Sequence, residues 1–339
     1  MDSRVWLRAV EQEMEALLAS PDPRLYSFYG MMRYHLGWLD RHLEPVQSDG
    51  GKRIRPWLCL LACAAVGGDA ARALPAAAAI ELLHNFSLIH DDIEDNSPLR
   101  RHRETVWAIW GVPQAINVGD GMLMLSRLAL HRLRERGVAA DRVLQVARML
   151  DDTCLRLCQG QYLDISFEER SDITVEEYLF MIGGKSASLI AASAEIGAAL
   201  GTDDAAMVAA YRDFGWELGL AFQMVDDILG IWGDPAVTGK SAASDILSRK
   251  KTLPILYTLA RGDARSQALH SLYARPNLDD TDIARVVELL EQSGALADVQ
   301  ARAETHTDRA LAALARTGIV GPAQEQLREI ARSFLTRTK

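Results

Sequence analysis

The sequence predicts an all-α fold: one large helical bundle that takes in the whole chain, residues 1–339. Apolar residues recur at helical spacing almost throughout, and no stretch sustains the two-residue alternation of a half-buried strand. No low-complexity tract, linker or repeat divides the chain. The helical stretches are separated only by ordinary turn residues, such as Gly50-Gly51 and Gly67-Gly68, so we expect a single domain.

Each predicted helix runs between two such breaks. Pro75 is expected in the first turn of its helix, where a missing backbone N–H costs nothing. The predicted spans are 4–19, 26–46, 53–67, 75–96, 113–136, 140–168, 174–200, 203–232, 251–261, 280–295, 297–316 and 321–337.

Composition and charge exclude several classes of protein. The chain is 49% hydrophobic and 24% charged, which is ordinary for a soluble globular protein. A net charge of −9 argues against a nucleic-acid partner, because phosphate backbones require a basic surface. The N-terminus is acidic and amphipathic, unlike a signal peptide, and no uncharged apolar run could span a bilayer. We therefore expect a cytoplasmic protein with no membrane span.

Four cysteines form two pairs with i, i+4 spacing: Cys59 with Cys63, and Cys154 with Cys158. Two such pairs could be drawn as a zinc site. Both lie in apolar helical stretches without the turn glycines of zinc knuckles. Buried free thiols are the better interpretation.

An unusual helix leads into the first aspartate cluster. The segment 77–90 is apolar on nearly every side, which predicts a buried helix, yet it runs straight into Asp91-Asp92-Ile93-Glu94-Asp95. Asp91 and Asp95 are four residues apart, so both carboxylates point to one face, and Ser87 and His84 continue that face backwards. Taken alone, this pattern also fits an exposed helix end above a hydrogen-bonded core histidine.

A second aspartate cluster favours a functional interpretation. The helix over 203–232 carries Asp226-Asp227 near its end, after Gln223. Two buried-looking helices that each end in repelling carboxylates are hard to explain structurally. Magnesium takes one or two carboxylates and completes its shell with water and substrate phosphates, so two such clusters could hold a metal–diphosphate assembly. Basic residues that suit phosphate oxygens lie close by in the sequence, although each could also be a solvated surface charge: Lys52, Arg55, Arg100, Arg101, Lys185, Lys240, Lys250 and Lys251.

The motifs and their order resemble those of the trans-isoprenyl diphosphate synthases, the polyprenyl synthetase family. The resemblance covers essentially the whole chain and is clearest from Gly50 to Pro254. It is carried by GGKRIRP at 50–56, HNFSLIHDDIEDNSPLRR at 84–101, GQYLD at 160–164, GGKSA at 183–187, FQMVDDILGIWGDPAVTGK at 222–240 and RKKTLP at 249–254.

The resemblance implies an isoprenoid synthase-like bundle around a central cavity, and it implies a role for each motif. Asp91, Asp95 and Asp226 are expected to bind three Mg²⁺ ions with the substrate, while Asp92 and Asp227 act through water or neighbouring groups. The diphosphate of isopentenyl diphosphate is expected to bind Lys52, Arg55, His84 and Arg101. The allylic diphosphate is expected to bind Arg100, Lys185, Lys240 and Lys250.

The implied reaction is a head-to-tail prenyl transfer in a homodimer. The allylic C–O bond ionises, the double bond of isopentenyl diphosphate attacks the cation, and a proton is lost. Lys185, Ser186 and Gln223 are the expected catalytic groups, the last two turning their dipoles toward the carbocation. Phe86, five residues before Asp91, and the small Ser87 beside it are expected to set the product length. We favour C20, with C15 next, although Phe86 could also be simple core packing.

Three residues depart from the family pattern. Gly230 replaces the last acidic residue of the second aspartate motif, and Ser186 replaces the commoner threonine while keeping a hydroxyl. His102 stands where a glycine is usual after the arginine pair. We expect activity to survive the first departure.

Two rival functions remain at this level. A terpene synthase on the same fold would cyclise one prenyl diphosphate and would not need Lys52, Arg55, His84 and Arg101. A silent partner subunit of an active synthase typically loses aspartates of the first motif, and all three are present here.

Overall fold

The computed structural model describes residues 2–46, 48, 50–233, 244–275 and 277–335, with the side chains of Glu169 and Ser244 outside that description. Within these ranges the chain is almost entirely helical, and the strands are a single two-residue antiparallel pair. The predicted all-α class is confirmed.

The elements follow one another in a simple order along the chain. Those of the first half are α1 Ser3–Leu17, α2 Tyr26–His35, α3 Ile54–Ala65, α4 Ala70–Glu94, β1 Leu99–Arg100, β2 Arg103–Glu104, α5 Val106–Trp110, α6 Val112–His131 and α7 Ala140–Glu169. Those of the second half are α8 Val175–Ile182, a π-helical turn Gly183–Ala187, α9 Ser188–Gly201, α10 Ala205–Trp232, α11 Ser244–Leu247, α12 Leu253–Leu259, α13 Ala264–Tyr273, α14 Asp280–Ser293, α15 Ala295–Arg316 and α16 Pro322–Leu335. Short 3₁₀ turns occupy Pro23–Leu25 and Arg132–Arg134.

The predicted helix over 26–46 is wrong beyond His35. Gly37 has φ +85°, a left-handed conformation that ends helices, and the chain then forms a loop closed by a bridge between Leu39 and Pro45. The sequence also missed α13, whose N-cap Asp263 accepts hydrogen bonds from the amides of Arg265 and Ser266.

The expected place of Pro75 is also wrong. Asp69 caps α4 by accepting a hydrogen bond from the Ala71 amide, so the helix begins at Ala70 and Pro75 lies inside it. A side-chain cap is a stronger start signal than proline, because it satisfies an amide that the helix leaves open.

The cysteine prediction holds for one pair only. Cys59 and Cys63 are free thiols and buried, as predicted. Cys154 is half-buried and Cys158 is exposed, so the prediction of buried thiols is wrong for this pair.

The described chain separates into two compact units. The first contains residues up to 154, together with 192–211 and 319–327, and α4 packs there against α3 and α6. A run of buried alanines from Ala76 to Ala79 lets these helices approach α4 closely. This unit carries the first aspartate cluster at the end of α4.

The second unit contains residues 155–191, 212–318 and 328–335. One core cluster joins Tyr178 of α8, Met224 and Ile228 of α10, and Leu253 of α12. This unit carries the second aspartate cluster and the π-helical turn.

One apolar helical stretch, 175–201, has the length and composition of a membrane span. Two thirds of its most apolar window is buried inside the protein (67%), as expected of a core helix in a globular fold.

Candidate functional site

The first aspartate cluster lies at the C-terminal end of α4. Asp95 is the C-cap residue, and its amide donates to the Asp91 carbonyl, so the last turn holds these two residues in helical register. Asp91 is half-buried and Asp95 is exposed. The predicted pair of carboxylates on one face is therefore present.

Asp92 has a different environment from its neighbours. It is 1% exposed, and the Nε of Arg100 donates to its Oδ1 at 2.7 Å. Burial raises the pKa of Asp92 to about 6, and the Arg100 guanidinium opposes that rise. Asp92 Oδ2 is buried without a hydrogen-bond partner beside a small polar cavity. Asp92 thus positions Arg100 at the end of α4.

A tight β-hairpin presents the arginine pair. Arg100 ends β1, and Arg101 and His102 form the two-residue turn with φ +50° and +62°. Two consecutive left-handed residues are the hallmark of a type I′ turn, where glycine is favoured because it has no β-carbon. This turn accounts for the glycine that the family usually carries at position 102.

Two arginines of the first unit, Arg55 and Arg101, lie in the neighbourhood of His84. Arg55 Nη1 lies 3.2 Å from His84 Nε2, and a β-carbon at Gly51 would lie 2.6 Å from Arg101 Nη2. The pKa of His84 is lowered well below its usual value by burial first, and then by the positive charges of Arg55 and Arg101. A neutral histidine among arginines is an arrangement suited to an anionic ligand.

The GGKRIRP motif divides its basic residues between two tasks. Lys52 is exposed, as a ligand-binding residue requires. Arg53 is 7% exposed and forms ion pairs with Glu81 at 3.3 Å and Glu11 at 3.2 Å. Arg53 therefore anchors the motif to α1 and α4.

The two residues expected to set product length occupy different sides of α4. Phe86 is 6% exposed, and its ring meets the His90 ring edge-on with centroids 5.0 Å apart. His90 in turn lies over the backbone of Gly119 on α6. Ser87 is half-buried and donates to the His84 carbonyl at 2.7 Å.

In the second unit, the π-helical turn and α7 approach each other backbone to backbone. A β-carbon at Gly160 would lie 2.8 Å from the Lys185 Cα, and one at Gly184 would lie 2.8 Å from the Arg156 carbonyl oxygen. Glycine at both positions is what permits this contact. One helical turn after Gly160, Asp164 forms an ion pair with the Lys185 ammonium. The GQYLD and GGKSA motifs are thus two halves of one local structure.

A hydrogen-bond chain runs from the π-helical turn to α10. Ser186 donates to Gln223 Oε1 at 2.6 Å, and Gln223 Nε2 donates to Asp227 Oδ1 at 3.1 Å. Asp227 Oδ2 accepts from Tyr178 Oη at 2.5 Å and from the Leu253 amide at 3.1 Å. Burial raises the pKa of Asp227 to about 7, and these hydrogen bonds oppose the rise. Asp227 fixes the orientation of the Gln223 amide.

The remaining residues of the second cluster lie around the end of α10. Asp226 is half-buried, and Lys250 donates its amide to the Asp245 carbonyl at 2.9 Å. Lys251 donates to the carbonyls of Phe167 and Glu168, which satisfies the last turn of α7. Lys240 lies outside the described residues.

No group of three or more histidine, cysteine, aspartate or glutamate side chains among the described residues could hold a metal ion by itself. The carboxylates fit magnesium all the same, because this ion takes only one or two protein carboxylates and completes its shell with water and substrate phosphates. Asp91 and Asp95, one turn apart on α4, form such a hard oxygen pair.

Sequence reasoning missed three residues that organise the second unit. Tyr178 and Asp164 orient Asp227 and Lys185, and Asp245 lies against Gly230. Asp164 stands in the GQYLD motif, so the motif was a signal for it, whereas Tyr178 and Asp245 carried none.

The fold and these motifs define a class of helical enzymes that act on prenyl diphosphates, and comparison with known proteins places the chain within it. Two relatives are from Mycobacterium tuberculosis. A (2E,6E)-farnesyl diphosphate synthase is 40% identical over 91% of this chain and 85% of its own length. A geranylgeranyl diphosphate synthase is 40% identical over 84% of this chain and 80% of its own. The crystal structure of a polyprenyl synthetase from Streptomyces coelicolor A3(2) is 35% identical, with a TM-score of 0.86, and covers 98% of this chain and 97% of that one.

The family model for polyprenyl synthetases matches residues 37–290. The chain therefore belongs to the polyprenyl synthetase family, as its motifs indicate.

Proposed function

We propose that this chain joins isopentenyl diphosphate to an allylic diphosphate in a magnesium-dependent reaction and releases a C20 all-trans prenyl diphosphate, with C15 the next choice. Short-chain trans-prenyl transfer as such is supported by relatives that make farnesyl and geranylgeranyl diphosphates. The proposal adds the metal, the residues and the product length.

The observation that carries elongation is the basic cluster of Arg55, Arg101 and neutral His84 in the first unit. A cyclising synthase binds a single diphosphate and has no use for a second anion site. We assign this cluster, with Lys52, to isopentenyl diphosphate.

The aspartate pairs and the other basic residues are assigned to the allylic substrate. Asp91, Asp95 and Asp226 would hold Mg²⁺ ions, three in all with substrate bound, and the metal would offset the charge that builds on the departing diphosphate. Asp92 and Asp227 act indirectly, by holding Arg100 and Gln223. Diphosphate contacts are assigned to Arg100, Lys185, Lys240 and Lys250.

Ser186 and Gln223 are assigned to the allylic carbocation. The Ser186 hydroxyl donates its hydrogen bond to Gln223 Oε1. The lone pairs of the serine oxygen therefore remain available to face positive charge. Asp227 holds the Gln223 amide nitrogen, which keeps the electron-rich carbonyl of that amide on the Ser186 side. Fixed dipoles of this kind stabilise a cation without reorganising during the reaction.

The reaction then balances within the two substrates. The allylic C–O bond breaks and its electron pair leaves on diphosphate, with Lys185 and Arg100 offsetting that charge. The double bond of isopentenyl diphosphate forms the new C–C bond, and the proton lost from the product passes to the released diphosphate.

The assay that tests this function supplies both substrates with Mg²⁺ and identifies the product by chromatography and mass spectrometry. We expect a linear C20 diphosphate, and no product after magnesium is chelated. A cyclic hydrocarbon would mean cyclisation, and no product from the folded protein would mean a silent partner subunit.

Product length is tested at Phe86, which lies roughly 7.5 Å before Asp91 along α4, at about 1.5 Å per residue. Phe86→Ala should lengthen the product if the ring closes the tunnel for the growing chain. The control is Phe214→Ala, which removes another buried ring elsewhere and should lower stability without changing product length. An unchanged product from a folded, active Phe86→Ala protein would assign this ring to core packing instead.

We further propose a cytoplasmic homodimer. One side of α6 exposes apolar side chains, with Ile116, Met124 and Leu128 44%, 51% and 54% exposed, and a second copy of the chain would cover them. Sedimentation of the wild type against Met124→Lys tests this, because a charge at a buried interface should produce monomers.

A further inference from the structure

The residues assigned to isopentenyl diphosphate come from separate parts of the first unit. Lys52 and Arg55 belong to the GGKRIRP motif at the start of α3, whereas His84 lies within α4. The motif and α4 must keep a fixed relative position if these side chains are to meet one diphosphate. A buried ion-pair network that the proposed mechanism does not use joins the two.

The network is centred on Glu81, a buried carboxylate of α4. Glu81 is 3% exposed, and its Oε1 accepts hydrogen bonds from Arg53 Nη1 at 3.3 Å and from Asn85 Nδ2 at 3.0 Å. Asn85 is fully buried and also donates to the Glu81 carbonyl at 2.8 Å, which holds the two side chains together. Glu81 precedes His84 by about one helical turn, so Arg53 is tied to the part of α4 that carries the histidine.

Arg53 has an unusual backbone conformation. Its φ of +46° is left-handed, which is unfavourable for a residue with a β-carbon, and its side chain does not cap α3. The guanidinium instead reaches Glu81 and, through Nε, Glu11 of α1 at 3.2 Å. A rotation at Arg53 would turn Lys52, which precedes it, away from Arg55, which follows it in the first turn of α3. The two ion pairs therefore fix the angle between two binding residues.

We propose that Glu81 is a positioning residue for isopentenyl diphosphate, with Glu11 in a supporting role. Both are carboxylates, which repel a diphosphate, so they act through Arg53 rather than on the substrate. Arg53 in turn sets the directions of the two binding residues of the GGKRIRP motif. Glu11 precedes residues 37–290, which the family model matches, so α1 contributes a contact from outside the matched region. The inference rests on the proposed function, because it concerns the residues assigned to this substrate.

The test compares Glu81→Gln with a matched variant, Glu13→Gln. Glu13 is also a buried carboxylate, 5% exposed, and it pairs with Arg132 at 2.9 Å and with Arg136, outside the candidate site. Each variant leaves arginines without their carboxylate and should melt at a lower temperature than the wild type. Only Glu81→Gln should raise the KM for isopentenyl diphosphate, by about tenfold, which corresponds to the loss of roughly one charge-assisted contact. Its KM for the allylic diphosphate should stay unchanged.

Direct binding gives a second measurement that does not depend on turnover. Isopentenyl diphosphate is titrated calorimetrically with Mg²⁺ present and the allylic site filled by unreactive geranyl S-thiolodiphosphate. The dissociation constant should be about tenfold higher for Glu81→Gln and unchanged for Glu13→Gln. Glu11→Gln should shift it in the same direction by less, because Glu11 is half-buried and water partly replaces its ion pair. If Glu81→Gln does not fold, Glu11→Gln and Glu13→Gln decide, since both change α1.

A double apolar variant separates positioning from stability. Arg53→Met/Glu81→Met removes both charges, so its melting temperature should recover relative to Glu81→Gln, as is common when a buried ion pair is replaced by apolar side chains. Its affinity for isopentenyl diphosphate should stay low, because methionine makes no ion pair that fixes the backbone at position 53.

The outcomes distinguish this inference from the function beneath it. If Glu81→Gln and Glu11→Gln bind isopentenyl diphosphate as tightly as Glu13→Gln does, the inference is overturned. A double apolar variant with wild-type affinity, or a KM that rises equally for both substrates, would assign the network to stability alone and overturn it too. A wild type that binds no isopentenyl diphosphate would contradict the proposed function itself, and this inference with it.

Discussion

Each of the two aspartate motifs contains a buried second aspartate, and the groups that hold this aspartate differ between the motifs. In both, the second aspartate is buried: Asp92 is 1% exposed and Asp227 is 2% exposed. Asp92 is held by a charged group, the Arg100 guanidinium at 2.7 Å. Asp227 is held by neutral donors, namely the Tyr178 hydroxyl, the Gln223 amide and the Leu253 backbone N–H.

This difference shows that adjacent aspartates in one motif have separate tasks. The buried member of each pair positions a group that we assign to substrate, Arg100 in one case and Gln223 in the other. The outer members, Asp91 and Asp226, are the ones that we assign to the metal. Each Asp-Asp pair is therefore better interpreted as one metal ligand and one positioning residue than as two equivalent ligands.

The proposed division into metal-binding and positioning aspartates is wrong if Asp91 and Asp226 prove dispensable for turnover. Asp91→Ala and Asp226→Ala should each lower turnover by about 10²–10³-fold or more, the loss typical of a group that stabilises developing charge. Their melting temperatures without ligand should not fall, because repelling carboxylates are being removed. Steady-state turnover at saturating Mg²⁺ and thermal unfolding provide the measurements, with Asp308→Ala as the control. Near-normal turnover in either variant would remove that residue from the metal.

The basic residues of the two units are expected to bind different substrates. Arg101→Ala should raise mainly the KM for isopentenyl diphosphate, and Lys185→Ala should impair mainly the allylic substrate. The loss of one charge-assisted contact corresponds to about 10- to 100-fold for the affected substrate. Kinetics with one substrate varied at a time measure the split. Equal effects on both substrates would contradict the two-site assignment.

The buried aspartates differ in the pH range over which they act on stability. The pKa values of Asp92 and Asp227 rise to about 6 and about 7, above the ordinary 3.8, so the folded state holds more protons in that range. The free energy of unfolding contributed by these carboxyls is therefore lost as the pH rises, through about 6 for Asp92 and about 7 for Asp227.

Replacing one aspartate at a time isolates its contribution to the pH dependence of the free energy of unfolding. Asp227→Asn should remove the part of the pH dependence that extends to about 7, and Asp92→Asn the part that ends near 6. Urea unfolding of each variant and the wild type from pH 4 to pH 8 gives the difference. That difference excludes His35 and His84, whose lowered pKa values contribute the opposite slope in all three proteins. A slope unchanged by Asp227→Asn would show that this carboxyl is ionised throughout.

The smallest effect is expected at the hairpin beside the first motif. His102 has φ +62°, so His102→Gly should raise the free energy of unfolding by about 1 kcal/mol. The matched variant His102→Ala keeps a β-carbon and should bring no such gain. Chemical denaturation of the three proteins decides, and equal stability of the glycine and alanine variants would show that the turn is not strained.

Much of the helical fold and part of the candidate site could be predicted from the sequence, because helical periodicity and motif spacing are local properties. The shared face of Asp91 and Asp95 follows from a four-residue separation. The partner of Asp227 does not, since Tyr178 lies 49 residues earlier and only tertiary packing brings it near. The same holds for Asp245, which lies against Gly230, while the adjacent residues Ile246 and Ile231 belong to one core cluster.

The errors have similarly local causes. The helix predicted over 26–46 continued an apolar pattern past Gly37, whose left-handed backbone ends it. The ion pair of Lys185 with the Asp164 carboxylate was not predicted, because 21 residues separate the two and only tertiary packing brings them together.

The π-helical turn at Gly183–Ala187 takes up an extra residue without changing the register of the helix that follows it. Such a turn holds one residue more than the α-helix would, and each α-helical residue turns the chain by about 100°. Beyond it, Ala187 and Ala191 meet the backbone beside Gly219 and Gly215 of α10. Loss of a single codon in this turn would restore an unbroken α-helix and leave both alanines facing those glycines, whereas Lys185 and Ser186 inside the turn would change direction. The turn therefore sets the direction of Lys185 and Ser186 without disturbing the packing of the helix beyond it.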